Sequence, residues 1–148
     1  MLRMSADDRL DILDLFARYA WAYDCGDADA YAEVFTSDAV LSDEKGFLAE
    51  GREAIREGIK TYFGLRGADT WQHHNDHLRI EGDGDACTVH SYWAVLEHRA
   101  ADGGFGVGSL GWYVSHCVKT PDGWRFKSRR FNYDMPKGLP PSMKKSGT

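Results

Sequence analysis

The spacing of apolar positions divides the chain into two unlike halves. Ser5 followed by Asp8 has the make-up of a helix start, because both side chains can satisfy free amides of a first turn. Ile12, Phe16, Tyr19, Ala20 and Tyr23 then recur at helical spacing and predict one apolar face. Cys25-Gly26-Asp27 interrupts that helix. Asp27 is suited to cap a second one, in which Tyr31, Val34 and Phe35 form the buried stripe before Thr36-Ser37-Asp38 ends it. Short strands at 39–42 and 47–50 predict a hairpin, and a third helix is expected over about 52–63, with Ile55, Ile59 and Tyr62 on one side. From Trp71 the pattern becomes β-rich, in stretches 71–81, 86–98, 104–119 and 124–133. The links Gly82-Asp83-Gly84-Asp85, Ala100-Ala101-Asp102-Gly103 and Thr120-Pro121-Asp122-Gly123 suit tight turns, so these strands should run as an antiparallel meander. Helices first and a long sheet afterwards is the α+β order.

Composition narrows the picture. The 148 residues suffice for one core, and no repeat or linker divides them. Residues 1–135 are expected to form one domain. Residues 136–148, with three Pro, two Gly, three Lys and no periodicity, should form a flexible C-terminal tail. A net charge of −5 without a basic cluster argues against nucleic acid. No apolar run reaches the roughly 20 residues of a membrane helix, and the acidic-polar start is unlike a signal peptide. Cys25, Cys87 and Cys117, odd in number and widely spaced, read as reduced cytoplasmic thiols. Five Trp, seven Tyr and seven Phe supply material for a core and for a pocket lining. Tyr19, Trp21, Tyr31, Phe35, Tyr62, Trp93, Trp112 and Phe131 are expected in or near the core.

Two kinds of titratable residue attract attention. Asp24 lies about a turn after Ala20, near the buried edge of the first helix and on the unfavourable side of its dipole. It is either a turn residue past a helix ending at Tyr23, or a buried carboxylate that requires a cationic or N–H partner. His73, His74 and His77 offer such a partner, one of them serving as a general base whose tautomer the carboxylate fixes. A zinc site is disfavoured, since His73 and His77 would stand roughly 13 Å apart on a strand. Alternation on an unbroken strand puts His74 on the face of Leu78 and Ile80; a bulge, or burial of both faces, would turn His73 inward instead. Gly-Gly-Phe-Gly-Val-Gly (103–108) lacks a following helix, so it reads as a bent or bulged strand, and no Gly-x-Gly-x-x-Gly or P-loop implies a cofactor.

The run from Arg18 through Asp24 and Asp27 to Phe35 and Asp38, then Gly51-Arg-Glu-Ala-Ile55, resembles the opening of SnoaL-like proteins of the superfamily named for nuclear transport factor 2. His73, placed seven residues before Ile80 and the Gly82–Ala86 turn, and Gly111-Trp-Tyr113 leading to the stretch 122–129, continue the resemblance to about Asp134. It implies a cone-shaped barrel, a curved antiparallel or mixed sheet wrapped on three N-terminal helices. The look-alikes are scytalone dehydratase, hexachlorocyclohexane dehydrochlorinase and bile-acid dehydratase. By that resemblance Asp24 and His73 match an Asp–His catalytic pair, Tyr23 matches a Tyr preceding the Asp, and Asn132 a substrate-binding Asn. Ser115 stands where many members carry Asp, His77 where many carry Asn, and Leu41 or Ser42 where scytalone dehydratase has a second Tyr.

The expected activity is a cofactor-independent and metal-free elimination of dehydratase type on an apolar or cyclic small molecule. Tyr19, Tyr23, Tyr31, Trp93, Trp112 and Asn132 would bind the substrate around Asp24 and His73. Alternatives carried by the same fold are an isomerase or aldol cyclase using Asp24 as the base, a dioxygenase β-type subunit, and a pocket that only binds. Both parities of 86–98 are apolar, so a homodimer or homotrimer through the outer sheet face is expected.

Overall fold

A computed structural model describes residues 4–144. Helix α1 (Ala6–Asp24) starts at Ser5, whose Oγ accepts the Asp8 amide at 3.0 Å and donates to Asp8 Oδ2 at 2.7 Å. It ends in a Schellman turn: Gly26 at φ +73° donates to the Tyr23 carbonyl and Asp27 to that of Ala22. Asp27 then caps α2 (Ala28–Glu33) by accepting the Ala30 amide. This helix is shorter than its sequence suggests. Val34 closes it, and Phe35 opens β1 (Phe35–Asp43) beside Phe126, so Thr36-Ser37-Asp38 are strand residues rather than a helix stop. The short β2 (Leu48–Glu50) pairs back on β1, and α3 (Arg52–Arg66) runs a turn past the expected end.

Four long strands follow: β3 (Thr70–Gly82), β4 (Ala86–His98), β5 (Phe105–Thr120) and β6 (Gly123–Tyr133). They form the expected antiparallel meander. Strand β1 adds parallel to β6, giving the order β2-β1-β6-β5-β4-β3 in one curved, unclosed sheet that wraps the helices as a cone. After β6 the chain forms a loop and a 3-10 turn, Pro141–Met143. Of the expected tail, residues 145–148 lie outside the described residues. No helix among those described is long and apolar enough to cross a membrane.

Between helices and sheet, Phe16, Tyr19, Tyr31, Phe35 and Phe126 meet with ring centroids 5.0–5.6 Å apart in four of their pairs. Trp21 does not join them. Two positions beyond Tyr19 it turns to the far side of α1 and is 72% exposed, correcting the expectation that it sits in the core. Tyr62 is 37% exposed at the edge of the core, and its ring lines the cavity described below.

Of the register shifts in the sheet, two bear on the site. Asp76 pairs with Tyr92 but Arg79 with His90, leaving one extra residue on β3, where His77 takes φ +54°. Before this bulge Trp71, His73 and Asn75 face the helices; after it Leu78 and Ile80 do. On β5 the register slips opposite Val95 and Leu96, leaving Gly108 unpaired within the glycine run.

Candidate active site

Asp24 is the last residue of α1, where bare carbonyls disfavour a carboxylate. Arg66, from the end of α3, offsets this by donating to the carbonyls of Tyr23 and Asp24 at 3.3 and 3.1 Å. The carboxylate itself turns to β3. Its Oδ2 accepts the His73 backbone amide at 2.9 Å, and its Oδ1 lies 2.6 Å from His73 Nδ1. An ionised carboxylate only accepts, so Nδ1 carries a proton, and in the neutral ring Nε2 is the nitrogen with the free lone pair. The His73 side chain is 5% exposed and that of Asp24 18%. The ring of Tyr23 lies 4.0 Å from the imidazole, centroid to centroid. His74 turns outward to Gln72, and His77 packs against Tyr92, so the three histidines diverge.

His73 opens onto a cavity of about 130 Å³. Tyr19 and Tyr23, one turn apart on α1, and Tyr31 on α2 form one wall; Ile55, Ile59 and Tyr62 on α3 form another. The sheet supplies Trp93, Tyr113, Phe131 and Tyr133. Gly111 stands directly opposite Trp93 on β5, where a Cβ would lie 1.9 Å from the Asn132 carbonyl oxygen and 2.7 Å from the indole, which donates from Nε1 to that same carbonyl at 3.1 Å. Burial pushes the phenols of Tyr19, Tyr23, Tyr31 and Tyr113 up, so they stay protonated; Tyr31 donates to Tyr19 at 3.2 Å. Tyr133, pushed up to about 12 by burial and by Asp43, donates from the end of β6 to Asp43 Oδ2 at the end of β1, at 3.2 Å.

The structure thus brings Tyr19, Tyr23, Tyr31 and Trp93 together around His73, with Asp24 behind it. Trp112 and Asn132 are not brought in. They alternate with Tyr113, Phe131 and Tyr133 along their strands, so their side chains leave the cavity for the other sheet face. Sequence reasoning missed Tyr113, Ser109 and Tyr133, whose parity on β5 and β6 would have found them. It also missed Arg129, which is fully buried with its guanidinium 3.7 Å from the Tyr113 ring centroid and 4.0 Å from that of Tyr19. Arg129 donates to Asn75 Oδ1 at 3.1 Å and meets no carboxylate among the described residues. Ser115 lies directly opposite on β5, so the cation is held by ring faces instead. Its charge pulls against the rise that burial gives the two adjacent phenols.

An acid–imidazole pair beside an aromatic cavity is here set inside an open α+β cone, the nuclear transport factor 2-like fold. Residues 4–130 match the family model described as SnoaL-like domain, and the chain belongs to that family. Among solved structures it is similar to a protein of unknown function from Mycobacterium tuberculosis, with 28% identity, TM-score 0.78, and 88% of this chain and 73% of the other covered. A Catenulispora acidiphila protein in complex with S-DNPA matches at 29% identity and TM-score 0.78, covering 88% and 96%. An NTF2-like protein with a cystatin-like fold from Novosphingobium aromaticivorans matches at 28% identity and TM-score 0.76, covering 86% and 82%. No curated protein matches the chain.

Proposed function

We propose that the protein is a cofactor-independent lyase that eliminates water from a cyclic, largely apolar small molecule. The observation that carries this reading is the engagement of both Asp24 oxygens by His73, which leaves Nε2 as the free base beside a cavity ringed by phenols. His73 Nε2 takes a proton from the carbon next to the one bearing the hydroxyl. The C–H electron pair becomes the new double bond, and the imidazolium returns the proton to the departing hydroxyl, which leaves as water. Asp24 stabilises the imidazolium between the two transfers. Where a carbonyl activates the C–H, tyrosine hydroxyls lining the cavity hold the charge that grows on its oxygen. The alternative in which Asp24 is itself the base is disfavoured by the same geometry, since neither of its oxygens is free.

The three cysteines are free, which supports a cytoplasmic setting. Exposed Tyr92, Leu96 and Leu110 on the outer sheet face support a homodimer or homotrimer.

A panel of cyclic β-hydroxyketones, followed by the rise of enone absorbance, tests the reaction. Turnover by the native protein, lowered at least about a hundredfold in His73→Ala and Asp24→Asn, is expected from the usual weight of general-base catalysis. Elimination that continues in His73→Ala would sink the proposal.

A further inference from the structure

A second cavity, of about 150 Å³, adjoins the first and is lined by Trp71, His73, Val95, Glu97, Gly108 and Ser109. His73, Val95 and Ser109 line both cavities, so the imidazole stands where the two meet. This outer chamber has a definite origin in the sequence. Trp71 pairs with Glu97, and Glu97 with Gly106, so their inward positions form one row across β3, β4 and β5. A Cβ on Gly108 would lie 2.9 Å from Glu97 Oε2, and one on Gly106 3.1 Å from Arg99 Nη1. The glycines leave the floor of β5 bare, and the Glu97 carboxylate lies over it. Arg99 reaches the other oxygen, Oε1, at 3.5 Å, but is also drawn to Asp102 at 3.3 Å. Beyond this contact with Arg99, neither Glu97 oxygen has a hydrogen-bond partner among the described residues, and the side chain is three-quarters buried. A partly desolvated carboxylate in that setting favours a ligand that donates a hydrogen bond to it.

We infer that Glu97 and the bare glycine floor form an outer subsite that takes a hydroxyl- or amine-bearing arm of the substrate, while its ring occupies the tyrosine-lined cavity and the reacting C–H lies at His73 between them. The subsite rests on the proposed reaction only for the placement of the C–H. Its substrates are therefore longer than the inner cavity: a ring with a hydrogen-bond donor on a short arm.

Binding of toluene, 2-phenylethanol and the methyl ether of 2-phenylethanol to the full chain, followed by NMR at the His73 ring and the Trp71 indole, tests this. Toluene is expected to shift His73 alone, equally in native protein, Glu97→Met and Gly108→Val. The alcohol should shift both residues and bind about tenfold more tightly than the ether, the worth of one hydrogen bond to a charged group. That preference should vanish in Glu97→Met, and Gly108→Val should weaken the alcohol but not toluene. Equal affinity for alcohol and ether in a protein that binds toluene, or a preference that survives Glu97→Met, overturns the outer subsite and leaves the proposed reaction standing. Failure to bind toluene at all removes the inner cavity, and both readings with it.

Discussion

Asp24 and Asp8 sit at opposite ends of α1, and each is held by partners far away in sequence. Asp8 accepts from Lys119 Nζ and Trp124 Nε1, both at 2.9 Å, fixing the start of α1 to the last hairpin. The hydrogen bond from Lys119, with those of Ser5 and Trp124, lowers its pKa from 3.8 to about 2. A depressed carboxylate stabilises the fold fully above the unfolded-state value, and that contribution fades as pH falls through about 2. Thermal melts of native protein and Asp8→Asn should therefore differ most at neutral pH, converge between about pH 4 and pH 2, and coincide below. A gap unchanged at pH 2 would mean that Asp8 acts through shape and not charge. At this scale the sequence was partly readable. The Ser5–Asp8 start and Asp27 cap are local chemistry, whereas Arg129 was invisible, because nothing in one strand's alternation says which cation will be buried against tyrosines of two other elements.

His77 decides which face of β3 reaches the cavity. Plain alternation favours His74, and the extra residue at the bulge is what reverses it, placing His73 inward upstream and Leu78 and Ile80 inward downstream. A non-glycine residue at φ +54° is uncommon, but His and Asn are among those that accept it, which gives the departure from Asn at this position a conformational meaning. His77→Gly is expected to match or raise the native stability by up to about 1 kcal/mol, whereas the β-branched His77→Val should lower it by about 1–2 kcal/mol. Denaturant unfolding measures both. Equal stabilities for the Gly and Val variants would mean that the bulge moves to another residue. The periodicities of α1 and α3 were legible because long amphipathic segments carry their own signal. The end of α2 was not, since the parallel pairing of Phe35 with β6 overrides the helical spacing of Tyr31, Val34 and Phe35.

The whole molecule presents one sheet face to the helices and the other, bearing Tyr92, Leu96 and Leu110, to the outside. A sheet apolar on both faces needs a second cover. Sedimentation is expected to give a mass two or three times the chain's 16.6 kDa, and the double substitution Leu96→Asp with Leu110→Asp should return it to one chain. A native protein that sediments as a single chain would contradict the assembly. The α+β class and the order of its elements were written in the switch from helical to alternating spacing. The cavity was less so, because its walls are drawn from all three helices and the strands β1, β3, β4, β5 and β6. Neighbours in that wall are far apart in the chain.

The state of the His73 ring tests the Asp–His pair most directly. In native protein, nitrogen-15 NMR of the imidazole at a pH where it is neutral should show the proton on Nδ1 and a bare Nε2. In Asp24→Asn the side-chain oxygen must still accept the His73 backbone amide, so the new NH₂ faces Nδ1 and drives the proton to Nε2. That reversal of tautomer is the predicted result. A native ring already protonated on Nε2, or one indifferent to the substitution, would contradict the pair on which the proposed chemistry stands.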